Sequence, residues 1–198
     1  MAHDKIREIR DHIQEKTNTI KKKTHEIDEL KEELVIAEQE VEVIINEKTK
    51  KLEKIVDEIK LVEQFECIAL VTQVNQLTDA EWQLIKCVQI FVQMQPEPKL
   101  NKTEAVSFFL QRNELIDVLN DRRNRNYPKP IFEKLSEFVQ SRVPSEFSQN
   151  NLLSSLFNYL VELYRKLNIK NTMSANFMRI REIRTQIDSC TFTINYAK

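Results

Sequence analysis

The sequence contains no glycine, where average usage of about 7% would place roughly 14 in a chain of this length. That absence removes the Walker loop, the GxGxxG dinucleotide turn and the GxSxG nucleophile elbow, and it leaves helix capping to Asn, Ser, Thr and Asp. Cysteine is sparse: Cys67, Cys87 and Cys190 are far apart and odd in number. No disulfide framework or CxxC zinc pattern can be read from them, and a reducing compartment is expected. No run of 18 apolar residues occurs, and the opening MAHDKIREIRDHIQ lacks an apolar signal-peptide centre, so neither a membrane span nor secretion is expected. Histidine stops at residue 25. His3, His12 and His25 stand 9 and 13 apart, which is not ligand spacing on a helix, and they read as a solvated face. The rest of the chain offers Ser and Thr no histidine partner, so no catalytic residue, metal or cofactor is expected.

What the chain does have is a heptad. From position 6 an apolar residue returns every seven positions: Ile6, Ile13, Ile20, Ile27, Leu34, Val41, then Lys48 as a miss, then Ile55, Val62 and Ala69. No proline interrupts the row. Such a repeat keeps one seam of a helix facing a partner helix and predicts a coiled coil over residues 4–68, roughly 100 Å long at 1.5 Å per residue. The companion d row is weaker, because Lys16, Lys23, Lys51 and Glu58 interrupt it. Near residue 50 a second seam fits as well: Leu52, Ile55, Ile59 and Val62. It reads either as a stutter that shifts the supercoil locally or as a helix able to slide between two registers.

Beyond residue 69 charge falls and changes sign. Residues 1–69 carry 13 Lys/Arg against 18 Asp/Glu, and residues 70–198 carry 17 against 13. In LTDAEW, Thr78 or Asp79 caps a helix of about 79–94 with Glu81 in its first turn, and the PEP of 96–98 ends it. Trp82 reads as a core anchor, and Cys67 and Cys87 as core thiols. Further helices are expected at 102–120, capped by Thr103 and broken near Arg112, at 130–142 with Pro130 in its first turn, and at about 148–167. After a polar break at 168–176, Ile180, Ile183, Ile187 and Cys190 resume a seam, and IREIR at 180–184 repeats residues 6–10. TFTINYAK alternates like a short strand but reads first as a frayed end. The expected organisation is all-α: a coiled-coil rod (1–69), a compact head of four to five helices (70–172), and a short return helix with its tail (173–198).

The one suggestive polar feature is a basic cluster, Arg112, Arg122, Arg123, Arg125 and Lys129, with Lys134, Arg142, Arg165 and Lys166 further on, of which Arg122, Arg123, Arg125, Lys129, Arg165 and Lys166 are the candidate contacts. It reads as an ordinary basic loop or as a face for an acidic protein partner, since association with such a partner is steered by charge and weakened by salt. The net charge of −1 and the thin aromatic content around the loop argue against nucleic acid as a partner.

Two stretches carry a family resemblance. NELIDVLNDRRNRNYPKPIFEKLSEFVQSR (113–142) resembles the "F-L-x-x-L" helix, polar link and "I-x-x-K-L-x-x-Y" helix of the microtubule-binding domain of dynein heavy chains, and FSQNNLLSSLFNYLVELYRKL (147–167) resembles that domain's closing helix. The resemblance covers about 90 residues. It implies a small helical head on an antiparallel coiled coil, docking on tubulin through the candidate contacts named above, with coiled-coil register coupled to affinity, and a cytoplasmic, cytoskeleton-associated protein. The proline-bearing turns of that family are not evident around 65–80, and a return seam of 180–190 is too short for the whole of 4–68. The rod therefore pairs with further chain or with a second copy, and the alternative function is a homodimeric tether that recruits partners through its head.

Overall fold

The computed structural model describes residues 2–197, the side chains of Ala2 and Lys170 aside, and all its regular structure is helical. Helix α1 runs Ala2–Leu61, ending seven residues before the expected limit at 68. Val62 turns inward and Glu63 is extended, and a second helix, α2 (Gln64–Thr72), follows. No proline makes this break. The Arg112 guanidinium donates to the Lys60 carbonyl (3.3 Å), meeting one of the oxygens that a helix end leaves without an intrahelical partner.

The chain divides into two compact units, residues 1–44 with 169–198, and residues 45–168. The division falls at 44/45 and not at the expected 69/70. The reason is packing: Leu52, Val56, Ile59 and Val62 are buried in the core of the second unit.

In the first unit, α8 (Ile169–Thr172) and α9 (Ser174–Ala197) return toward the early part of α1. Lys23 meets Cys190 and Glu33 meets Arg179, so the two helices run antiparallel. Ile27, Ala37 and Val41 are buried on α1, as are Ile180, Ile183 and Cys190 on α9. Arg184 reaches Glu38 (2.6 Å) across the stagger because both side chains lean toward the N-terminus of their own helix. The return helix is thus 24 residues long, far longer than the expected 180–190. The expected frayed end is helical to Ala197, and Lys198 lies outside the described residues. Thr191 and Thr193 fit there by donating their hydroxyls to the carbonyls of Ile187 (2.8 Å) and Ser189 (3.0 Å).

The second unit packs α3 (Asp79–Gln93), α4 (Lys102–Ser107), α5 (Arg112–Arg122), α6 (Lys129–Ser141) and α7 (Asn151–Leu167) with α2 and the last part of α1. Thr78 and Glu81 form the expected capping box, the Glu81 amide donating to Thr78 Oγ1 (3.2 Å) and the Thr78 amide to Glu81 Oε2 (2.8 Å). With no glycine to end α3, Met94 takes the left-handed conformation (φ 55°, ψ 36°), at a cost of about 1–2 kcal/mol. The break near Arg112 is present, although Asn101, not Thr103, caps α4 by accepting from the Thr103 amide (2.9 Å). Phe138, Phe147 and Phe157 form an aromatic cluster with the Phe147–Phe157 centroids 4.7 Å apart. Trp82 is only half-buried, with Lys86 and Lys102 over its ring at 5.7 and 5.4 Å. Cys67 and Cys87 are buried thiols, and burial raises the pKa of each.

Candidate functional site

The six candidate contacts of the basic cluster fall into two groups. Three are held by the fold. The Arg122 guanidinium donates from Nε to the Phe91 carbonyl (3.0 Å) and from Nη2 to that of Val92 (3.2 Å), closing the C-terminal end of α3, and Nη1 meets Asp121 (2.8 Å). A cation there also suits the helix dipole. The Tyr127 hydroxyl donates back to the Arg122 carbonyl (2.6 Å) and its ring packs edge-on against Phe91, so the link 123–128 folds over the end of α3. Arg123 pairs with Glu53 of α1 (3.2 Å). Lys166 donates to the Arg123 carbonyl (2.8 Å) and to Asn124 Oδ1 (3.1 Å), and burial, helped by the Arg123 charge, lowers its pKa. The other three present charge to solvent, each beside an acid of its own helix or turn: Arg125 with Asp121 (2.9 Å), Lys129 with Glu133 (3.5 Å) and Arg165 with Glu162.

The four register residues also find definite places. Leu52, Ile59 and Val62 are buried in the second unit and Ile55 packs partly buried against the same core. Val56, on neither of the two seams read from the sequence, is buried with them. The core thus takes a face that joins Leu52 and Ile59 of the second seam with Val56.

A surface that sequence reasoning missed lies on α2. This helix buries Glu66 and exposes Phe65 and Ile68, and Leu61 just before it is 81% exposed. The inverted pattern has a cause. Glu66 accepts from the Asn151 amide (2.7 Å) and from Asn151 Nδ2 (2.6 Å), so its carboxylate sits at the N-terminus of α7, where amide hydrogens and the dipole both favour an anion. Turning Glu66 inward turns Phe65 and Ile68 outward. The segment 61–71 is apolar on most of its circumference, which is why its periodicity did not reveal the exposed side.

The α2 face and the basic cluster stand at opposite ends of α7: Glu66 holds its first residue, Asn151, while Lys166 is next to its last, Leu167. Seventeen residues of helix separate those ends by about 25 Å. Among the described residues no group of three His, Cys, Asp or Glu side chains could hold a metal ion, and no helix is long and apolar enough to cross a membrane. No family model, no curated protein and no solved structure matches the chain.

Proposed function

We propose that residues 45–168 form a protein-docking head whose partner is an acidic protein surface, with microtubules the first candidate. The observation that carries this reading is α2, held by Glu66 so that Leu61, Phe65 and Ile68 face solvent. Large apolar side chains grouped on one side of a helix mark interaction surfaces more often than scattered ones do. The chain order supports it as well: the head is inserted in sequence between two helices that pair antiparallel, the arrangement the dynein resemblance implies. The α2 face makes the apolar contact, and Arg125, Lys129 and Arg165 are the cations left to meet an acidic partner. Arg122, Arg123 and Lys166 shape the loop that presents them. On this reading the protein is cytoplasmic and cytoskeleton-associated.

Co-sedimentation with stabilised microtubules tests the reading. The chain pellets at low salt and is released as salt is added. The pair Phe65→Ser and Ile68→Ser weakens pelleting, and the pair Arg125→Glu and Lys129→Glu weakens it at low salt and leaves the remainder less sensitive to added salt. Absence of pelleting at low salt overturns the microtubule assignment, and pelleting that neither pair alters overturns both faces.

A second reading, the homodimeric tether, has one observation in its favour: Ile6, Ile9 and Ile13 continue the heptad row and are exposed. Parallel self-pairing through the whole of 4–68 would require α9 to leave Ile27, Ala37 and Val41. A dimer by light scattering that becomes monomeric in an Ile6→Ser, Ile13→Ser chain favours the tether.

A further inference from the structure

Between α1 and α7 the second unit carries an open groove of about 340 Å³, set apart from the α2 face and the loop 122–129, with Arg165 the one residue it shares with the basic cluster. Its floor is apolar: Ile55 from α1, Phe157 and Val161 from α7, and Pro144 at one end. Its rim is charged. Lys51 and Lys54 line the α1 side with Glu58, and Arg165 and Glu162 line the α7 side. Lys48 stands behind Glu162 with Nζ 3.7 Å from Oε2. Four cations therefore surround two carboxylates. Arg165 and Lys48 both serve Glu162, while among the described residues neither Lys51 nor Lys54 has a carboxylate within ion-pair distance.

A second observation points to a ligand. Glu162 is 9% exposed, and its Oε2 has no hydrogen-bond partner although it is buried. Oxygens buried this way usually accept a hydrogen bond, and the head offers Oε2 only the Lys48 ammonium at 3.7 Å, an ion pair beyond hydrogen-bond distance. The lining thus asks for three things together: apolar side chains for the floor, anions for Lys51 and Lys54, and an N–H or O–H for Glu162. A bare anion satisfies only the second. A peptide satisfies all three through side chains and backbone.

We infer that this groove binds a short acidic peptide segment of a partner protein, with an apolar side chain on Ile55, Phe157 and Val161, flanking Asp or Glu on Lys51 and Lys54, and a backbone amide donating to Glu162.

The probe is the fluorescein-labelled peptide EELEEFEE, titrated with the full chain and followed by anisotropy. Saturable binding is expected, with Ile55 and Val161 methyl signals shifting in the NMR spectrum of the full chain. The exposed pair Lys51→Glu and Lys54→Glu weakens binding on the order of tenfold or more, because rim charges both attract and exclude. The pair Lys21→Glu and Lys22→Glu, in the other unit, leaves it unchanged. The inference is overturned by absence of binding at millimolar peptide, by equal binding of the Lys51/Lys54 variant, or by methyl shifts elsewhere. It is also overturned if a peptide with serine in place of Leu and Phe binds as well, or if an oligothymidylate competes as well, since either outcome means a general anion surface. Circular dichroism of each variant separates lost folding from lost binding, and microtubule co-sedimentation reads independently of all these outcomes.

Discussion

Replacing Arg122 by Ala and, separately, Lys129 by Ala distinguishes a cation that builds the head from one that faces a partner. Both lie in the same basic stretch of sequence and look alike there. In the fold the Arg122 side chain is 14% exposed and that of Lys129 is 85% exposed. Arg122 makes two hydrogen bonds to the carbonyls that end α3, at 3.0 and 3.2 Å. A hydrogen bond to a charged group contributes about 1.5–3 kcal/mol, and partial access of water places these two at the lower end, about 3 kcal/mol together. The Tyr127 hydroxyl bonds the backbone carbonyl of residue 122 and keeps that partner in the variant. For a chain of this size each kcal/mol moves Tm by about 2–4 °C, so Arg122→Ala lowers it by about 6–12 °C. Lys129 meets only an exposed glutamate four residues on, a pair that contributes about 0.3–0.5 kcal/mol, and its loss moves Tm by about 1–2 °C. Urea unfolding followed by circular dichroism gives the free energies, with equal m-values as the check that the same surface unfolds. Arg122→Lys falls between, since an ammonium group keeps the charge but not the forked geometry. If Arg122→Ala unfolds within about 0.5 kcal/mol of Lys129→Ala, the assignment of Arg122 to the end of α3 is wrong.

Two further predictions concern the core. Leu52→Ala costs about 2–5 kcal/mol by urea unfolding, because Leu52 is fully buried in the second unit, whereas Ile9→Ala on the exposed heptad row costs under about 0.5 kcal/mol. Equal costs would mean that Leu52 is not packed in the core of the second unit. Tyr127 and Tyr159 have pKa values raised by burial, and Tyr159 donates its hydroxyl to the Leu119 carbonyl (2.7 Å). The folded state keeps both protons where the unfolded chain, with tyrosine near 10, gives them up. The unfolded state then binds fewer protons, so stability is intact below about pH 10 and falls as pH rises beyond it. Absorbance at 295 nm during alkaline titration shows these two tyrosines ionising together with the loss of helix; ionisation before helix loss contradicts the burial.

The parts legible in the sequence are those fixed by local chemistry. Thr78 and Glu81 sit three apart and cap α3, Pro130 stands in the first turn of α6, and the missing glycines and continuous periodicity make an all-helical chain the natural reading. The parts that were not legible depend on which surface wins a contest for burial. Residues 48–62 carry two apolar faces, and the heptad row favours Ile55 while the core takes Leu52, Val56 and Ile59. Only packing against the rest of the second unit's core decides between them. The consequence for the sliding register is direct: moving α1 along its axis here would withdraw Leu52 and Ile59 from the core, at about 1.5–3 kcal/mol for each side chain. Any register change with a small cost is therefore confined to residues before 45, where α1 packs against α9. The basic cluster shows the same limit. Charge can be counted in a sequence, but the carbonyls of Phe91 and Val92 that engage Arg122 lie 31 and 30 residues away.

Helix α2 shows why an exposed apolar face can persist in a folded chain. Rotating α2 to bury Phe65 would carry Glu66 out of its place at the start of α7. That exchange strands the Asn151 amide and removes a carboxylate from a helix N-terminus, at a cost of about 1–3 kcal/mol for the unmet donor and a further 0.3–1 kcal/mol for the dipole. The gain from burying Phe65 is of the same size, about 1.5–3 kcal/mol for a side chain that goes from exposed to buried. Rotation would also expose Cys67 and Leu70, which now face the core. The inward glutamate therefore holds the apolar face outward against a comparable hydrophobic drive, and a partner that covers Phe65 and Ile68 recovers that drive without disturbing the cap. Glu66→Ala removes the restraint, so on the docking reading it weakens partner binding even though Glu66 itself touches no partner. Glu66→Gln, which keeps an oxygen to accept from Asn151, restores part of the binding.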